Sequence, residues 1–390
     1  MSSSSIEICL YLVVMKYNLG ALLSILVAFQ FLFLALYLFT HKKGIKRNNS
    51  LLALLFFLFA VNLMDFAARV SGLVFPNPMV HLLDDAFFFL YGPILYFYCR
   101  AVVFHDFTFK KRDVWNLVPY ALYTCFVLFL IFSLDEESAP EIALKITNAE
   151  FPAWVYVISL FTYLHILYYL WLSWRTIKTY HAVIKDKYSS IDGIKLDWLN
   201  FMLRAFTVIT IVAMIHNLTP ILSNRIFLYV SVTVLLLVTF YFINLILVKA
   251  LNQPAIFSGI AKKETEKYAM SNLSPVDISN YRTQLTNLML TDQLYLNPDL
   301  NSKDLAEELG VSGKALSQII NQGFDQNFYD FINTFRCEEV KTILQGPDKK
   351  MTIIEAMFQA GFNSKSSFNK EFKKLTGQTP SEFKKSLPQT

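Results

Sequence analysis

Charge is what this sequence has least of. Asp, Glu, Lys and Arg make up only 17% of its 390 residues, against roughly 25% in an ordinary soluble domain. That scarcity argues against a single, evenly solvated globule. Cysteine is also sparse. Cys9, Cys99, Cys125 and Cys337 are the only four. No two have metal-ligand spacing, and they indicate no disulfide framework. Cys99, Cys125 and Cys337 read as small buried thiols. There is no phosphate-cradling glycine loop, zinc-binding pattern, GxSxG or histidine-kinase ATP-binding motif, so no enzyme, metal or cofactor is expected. No basic region precedes the short apolar stretch Ile8 to Met15, so no cleaved signal peptide is expected.

Apolar residues fill the space that charge leaves. The sequence is 54% hydrophobic, with 36 Phe and 20 Tyr. They are unevenly spread: long apolar runs continue to about Val248, and the chain is polar after Lys249. A bilayer-crossing helix needs about 20 mostly apolar residues. Seven candidates stand at about 19–40, 51–70, 82–104, 115–134, 152–174, 202–220 and 226–248. The sixth is the weakest, because His216, Asn217 and Pro220 sit at its end. The loops after spans 1, 3 and 5 hold twelve cations: Lys42, Lys43, Lys46, Arg47, Lys110, Lys111, Arg112, Arg175, Lys178, Lys185, Lys187 and Lys195. The opposite set holds three, Lys16, Lys145 and Arg225. By the positive-inside rule the N-terminus lies outside a bacterial inner membrane, and everything after Val248 is cytoplasmic.

Residues 249–273 form a joint, punctuated by Pro254 and Gly259. Helical spacing returns from Ser274, and two similar stretches follow. They are "DLAEELGVSGKALSQIIN" (304–321) and "IEAMFQAGFNSKSSFNKEF" (354–372). Each is a helix, a glycine (Gly310, Gly361), an apolar residue, a serine and a second helix. Glycine permits the tight left-handed turn, and Ser312 and Ser364 are placed to cap the second helices. This is helix-turn-helix grammar written twice, at about 302–321 and 353–373. Between the copies, Phe328, Phe331, Ile332 and Phe335 recur on one helical face, and Gly346 and Pro347 stop the helix. Its roughly 17 residues would span about 25 Å, enough to hold two motifs on one side of a duplex.

The stretches "YLNPDLNSKDLAEELGVSGKALSQIINQGFDQNFYDFINTFR" and "GFNSKSSFNKEFKKLTGQTPSEFKK" resemble the DNA-binding domain of the AraC/XylS transcription regulators. The resemblance covers about Ser274 to Leu387. Attached to a multi-span region, it is similar to membrane-bound AraC-type regulators. It implies sequence-specific binding of double-stranded DNA by two tandem motifs, usually in a homodimer, with RNA polymerase as a further partner. By the resemblance, Ser312, Lys314, Ser317 and Gln318 of the first reading helix occupy the DNA-facing side. Lys365, Ser366, Asn369 and Lys370 do so in the second, with Lys373 and Lys374 meeting phosphate. Leu316, Ile319, Ile320, Phe368 and Phe372 should face inward. Two positions depart from the family pattern. Asp325 stands where the family often has glycine, and Met357 replaces the small residue found at Ala306 in the first motif, so the second crossing must repack or widen.

The expected architecture is thus all-α. A polytopic membrane bundle of about seven spans (1–248) and a linker (249–273) precede an AraC-type double helix-turn-helix domain (274–390). Net charge divides that last domain. Residues 264–348 carry −7 and residues 349–390 carry +5, which places most of the phosphate grip in the second motif. Within the apolar half, Asp65, Arg69, His81, Asp84, Asp85 and His216 gather toward the outer ends of their spans. Ionisable residues there are costly and often functional, so they form a candidate pocket for an unknown small-molecule or extracytoplasmic signal. His165 and Asn244 read as hydrogen-bonding helix contacts. Two rival readings are a transporter-like protein or an enzyme-like protein with a regulatory DNA-binding tail.

Overall fold

The computed structural model describes residues 19–40, 45–71, 80–104, 106–133, 141, 152–192, 194–222, 225–251, 273–346 and 350–387. Most of the 249–273 joint therefore lies outside the described residues. The chain divides into two compact bodies. One comprises Met1–Ile177 and Asp197–Ile260, the other Lys178–Leu196 and Ala261–Thr390. Among the described residues, an isolated antiparallel bridge pairs Tyr188 with Asn301.

The apolar body is built from α1 (Leu19–Thr40), α2 (Lys46–Val70), the short α3 (His81–Asp85), α4 (Phe88–Val103), α5 (Val118–Ser133), α6 (Ala153–Lys187), α7 (Asp197–Leu218) and α8 (Arg225–Leu251). Helix α6 supplies its last residues, from Lys178, to the other body. Among the described residues, seven helical stretches are long and apolar enough to cross a membrane, and they coincide with the seven expected runs. Aromatic rings fill the interior: Phe59 lies 5.3 Å from Phe31, 4.1 Å from Tyr91 and 5.7 Å from Phe206. A Cβ on Gly92 of α4 would lie 2.9 Å from the Cβ of Tyr169 on α6, so only glycine allows that close approach. Hydroxyls in these helices bond backward to their own backbone. Ser24 donates to Gly20 O, Thr210 to Phe206 O and Thr239 to Leu235 O, at 2.7 to 2.8 Å. The outward faces carry large apolar side chains, among them Phe29, Phe33, Leu122, Phe129, Phe132 and Trp171.

The polar body contains α9 (Pro275–Asp292), α10 (Ser302–Glu308), α11 (Gly313–Phe324), α12 (Phe328–Gln345), α13 (Ile353–Gln359), α14 (Lys365–Thr376) and α15 (Pro380–Ser386). Helix α12 serves two cores. Phe328, Phe331 and Ile332 pack with Leu305, Leu316, Ile319 and Ile320 of the first motif. Cys337, Val340 and Leu344 pack with Met357, Phe362, Phe368 and Phe372 of the second. The aromatic face anticipated along this helix is therefore half of its packing, and a second stripe a turn further on holds the other motif. Its 18 residues extend about 27 Å. Asp325 caps α11 in the left-handed conformation, with φ of 54°. Its short polar side chain tolerates that region.

Candidate nucleic-acid interface

Each motif is assembled by local chemistry that its residues dictate. In the first, Asn301 caps α10 by accepting from the Lys303 and Asp304 amides at 3.0 and 3.1 Å. Gly310 turns the chain with φ of +68°, and the Val311 amide donates to Ala306 O at 2.9 Å. Ser312 then accepts from the Ala315 amide at 3.2 Å and starts the reading helix α11. The second motif repeats the scheme. Thr352 and Glu355 form a reciprocal capping box, at 2.7 and 3.2 Å. Gly361 turns at φ +86°, and Phe362 N donates to Met357 O at 3.1 Å. Ser364 accepts from the Ser367 amide at 3.4 Å and opens the reading helix α14. The same turn hydrogen bond closes over Met357 as over Ala306. Met357 is buried among Val340, Phe362 and Phe368, so the longer side chain repacks inward.

The two reading helices present different faces. On α14, Lys365, Ser366, Asn369, Lys370, Lys373 and Lys374 are all exposed, while Phe368 and Phe372 are buried. Lys374 pairs with Asp330 at 3.0 Å and with Glu371 at 3.6 Å, and Lys370 also reaches Glu371 at 3.6 Å. On α11, Ser312 and Lys314 are exposed, Ser317 is half-buried, and Leu316, Ile319 and Ile320 face the core. Gln318 is a correction to the expected outward set. It is 8% exposed and donates to Leu273 O at 3.4 Å and to Gln322 Oε1 at 3.1 Å. Helix α9 packs over this side of α11: Ile278 and Arg282 lie beside Gly323. The exposed Asn321, which donates to Ser317 Oγ at 3.3 Å, extends the polar face in its place. Sequence reasoning stopped one turn short of it; helical spacing from Lys314 and Ser317 reaches it.

The polar residues of the apolar body separate into two places. Asp65 pairs with Arg69 at 2.9 Å and with His81 Nδ1 at 2.8 Å. Asn62 donates to the backbone oxygen of Asp84 at 3.0 Å and to its carboxylate at 2.6 Å, and Tyr91 donates to Asn62 at 2.7 Å. Asp85 lies within electrostatic reach of Arg69. These five ionisable residues form one cluster. His216 bonds instead to Ser231 at 2.8 Å, between α7 and α8. Asn244 donates within its own helix to Phe240 O at 2.7 Å. His165 makes edge contacts to Phe89 and Tyr169 and no hydrogen bond, so the expectation that it hydrogen-bonds a neighbouring helix is corrected.

Comparison with known proteins speaks to the polar body. Residues 305–386 match the family described as "Helix-turn-helix domain". An uncharacterized HTH-type transcriptional regulator of Staphylococcus aureus (strain COL) is 34% identical over 96 residues, covering 25% of this chain and 13% of that protein. The chain thus spans about one eighth of the length of that relative. An uncharacterized HTH-type transcriptional regulator from the cgkA 5' region of Pseudoalteromonas carrageenovora is 27% identical over 130 residues, covering 33% of this chain and 75% of that protein. No solved structure matches. With two capped, glycine-turned helix pairs on one linking helix and a family match over the same residues, the C-terminal part of this chain is a helix-turn-helix domain.

Proposed function

We propose that this chain is a membrane-integral, sequence-specific DNA-binding transcriptional regulator that couples an extracytoplasmic or membrane signal to promoter binding. One observation carries the reading. Two N-capped reading helices with polar outer faces follow, in one chain, seven helices whose own outer faces are apolar. Exposed apolar faces of that extent are unfavourable in water and at home in hydrocarbon. The distribution of loop cations supports an N-terminus outside and tandem motifs in the cytoplasm of a bacterial inner membrane. Asn369 can contact adenine and Lys314 or Lys365 guanine acceptors in the major groove. Lys370, Lys373 and Lys374 meet phosphate, which positions without specifying. With the first motif net acidic, one copy binds weakly, so a homodimer on adjacent half-sites is the working form. The cluster of Asp65, Arg69, His81, Asp84 and Asp85 is the proposed signal pocket, with His216 standing apart from it.

The test is base preference in the full-length protein, held in lipid nanodiscs and offered a randomised duplex pool. Asn369→Ala relaxes preference at one base pair by about 1–3 kcal/mol. Gln318→Ala, whose side chain is turned inward, leaves the preferred sequence unchanged. Failure to enrich any sequence, or a reporter fused after Thr390 that is active only in the periplasm, overturns the reading.

A further inference from the structure

The polar body contains a segment that the tandem motifs do not supply. Lys178–Leu196, the end of the fifth apolar helix and the loop that leads to the sixth, packs with the helix-turn-helix domain. Its root is built in. Ser189 is 2% exposed, and its amide and hydroxyl both donate to Leu300 O, at 3.3 and 2.6 Å. Arg336 of α12 is 1% exposed. It donates to Ser189 O and Ser189 Oγ at 3.2 Å each, and to Tyr295 O and Asn297 O at 2.7 Å. A buried guanidinium needs those acceptors, so the root is resident in the domain.

The tip is different. Ser190 and Asp192 are polar and half-buried, with the buried Ile191 between them, and Ser190 sits on the start of the second reading helix. Ser190 donates to Asn363 Oδ1 at 2.6 Å. The Asp192 carboxylate lies near Ser364, the residue that caps α14, and Ser367 one turn on. Its Oδ1 pairs with Lys195, and its buried Oδ2 has no hydrogen-bond partner among the described residues. Burial works against charge on Asp192, but Lys195 and the neighbouring serine hydroxyls outweigh it and hold the carboxyl below its usual range. A helix start carries partial positive charge and is a natural seat for an anion. In a reading helix it is also the end that meets DNA. α14 is the reading helix with the dense lysines, and two of these, Lys370 and Lys374, are already engaged by Glu371 and Asp330.

We propose that the tip at 190–192 is an autoinhibitory contact, in which the Asp192 carboxylate occupies the start of the second reading helix in competition with a DNA phosphate. Movement of the apolar helices that flank Lys178–Leu196 in sequence withdraws the tip and frees that helix. The inference rests on the reading of the chain as a DNA-binding protein. It routes the signal through the loop between the fifth and sixth apolar helices as well as through the 249–273 joint.

The experiment selects duplexes from a randomised pool with wild-type full-length protein and with Asp192→Asn, both in nanodiscs, and then measures affinity for the enriched sequence. Loss of the carboxylate charge tightens binding about two- to fivefold, the range of one charge at a helix terminus. In a second arm, Ser190→Cys and Asn363→Cys are joined by a short bis-maleimide, with Cys9 and Cys125 replaced by Ser. The joined protein binds at least fivefold more weakly than an Asn363→Cys control capped with N-ethylmaleimide. Binding by Asp192→Asn that is equal to or weaker than wild type, or joined protein that binds like its control, overturns the autoinhibitory contact alone. If neither wild type nor Asp192→Asn enriches any sequence, the DNA-binding reading itself falls.

Discussion

The two helix-turn-helix motifs share a plan and differ in what surrounds it. Both turn on a glycine at positive φ, close with the same backbone hydrogen bond and start the reading helix on a serine. The first turn is open: a Cβ on Gly310 meets nothing within 4 Å. The second is wedged: a Cβ on Gly361 would lie 2.5 Å from Tyr295 O and 2.7 Å from Leu296 O. The first reading helix turns Gln318 inward beneath α9, whereas the second keeps every lysine outside. One motif is thus free at its turn and covered along its helix, and the other is wedged at its turn, with its lysines outside and only the start of its helix met by the 190–192 tip. A repeated sequence pattern sets the turn, and the neighbours set how much of it is available to a partner.

The largest expected effect separates the turns. Gly310→Ala incurs only the left-handed backbone penalty, about 1–2 kcal/mol. Gly361→Ala adds overpacking against the fixed carbonyls of the 294–296 segment, for a total of about 2–5 kcal/mol. Hydrogen exchange of α10 and α11 for Gly310→Ala, and of α13 and α14 for Gly361→Ala, in the full-length protein reads the difference. Equal losses from the two substitutions would show that the wedge yields.

That asymmetry marks where the sequence stops being legible. Length and hydropathy exposed the seven apolar helices, because a span of about 20 residues needs no information from elsewhere in the chain. Ser312, Ser364 and the buried faces of Leu316, Ile319, Phe368 and Phe372 were readable for the same reason: caps and helical spacing are local. Gln318 was not, because its acceptor Leu273 lies 45 residues away and helical spacing alone leaves it on the border of the polar face. Arg336 was not, because two of its acceptors belong to Ser189, 147 residues upstream. Nothing in the composition of a basic loop after the fifth apolar run announces that part of it is core to another body.

The next effect compares the two charge sets. If the second motif carries the phosphate grip, replacing Lys365, Lys370 and Lys373 by Ala lowers the slope of log affinity against log salt by about 0.9 for each phosphate no longer neutralised, roughly three units in all. Lys314→Ala in the acidic first motif lowers it by about one at most. Titration of the enriched duplex across salt concentrations measures both. A larger drop for Lys314 than for any single lysine of α14 would reverse the assignment of grip to the second motif.

The smallest effect lies in the helices that precede the turns. Thr352 and Glu355 cap α13 reciprocally, and hydrogen bonds from the Thr352 side chain and amide hold the Glu355 carboxyl below its usual range. A carboxyl lowered in the folded state stabilises fully above its unfolded value, near 4.5, and loses that contribution as pH falls through the lower folded value. Protection of α13 against hydrogen exchange should therefore weaken as pH drops below about 4.5, and Glu355→Gln should flatten that dependence. In the first motif the cap of α10 is made by the amide side chain of Asn301, which does not titrate. Asn301→Ala should cost about 0.5–2 kcal/mol at every pH. If Glu355→Gln leaves the acid sensitivity of α13 intact, the capping box is not its source.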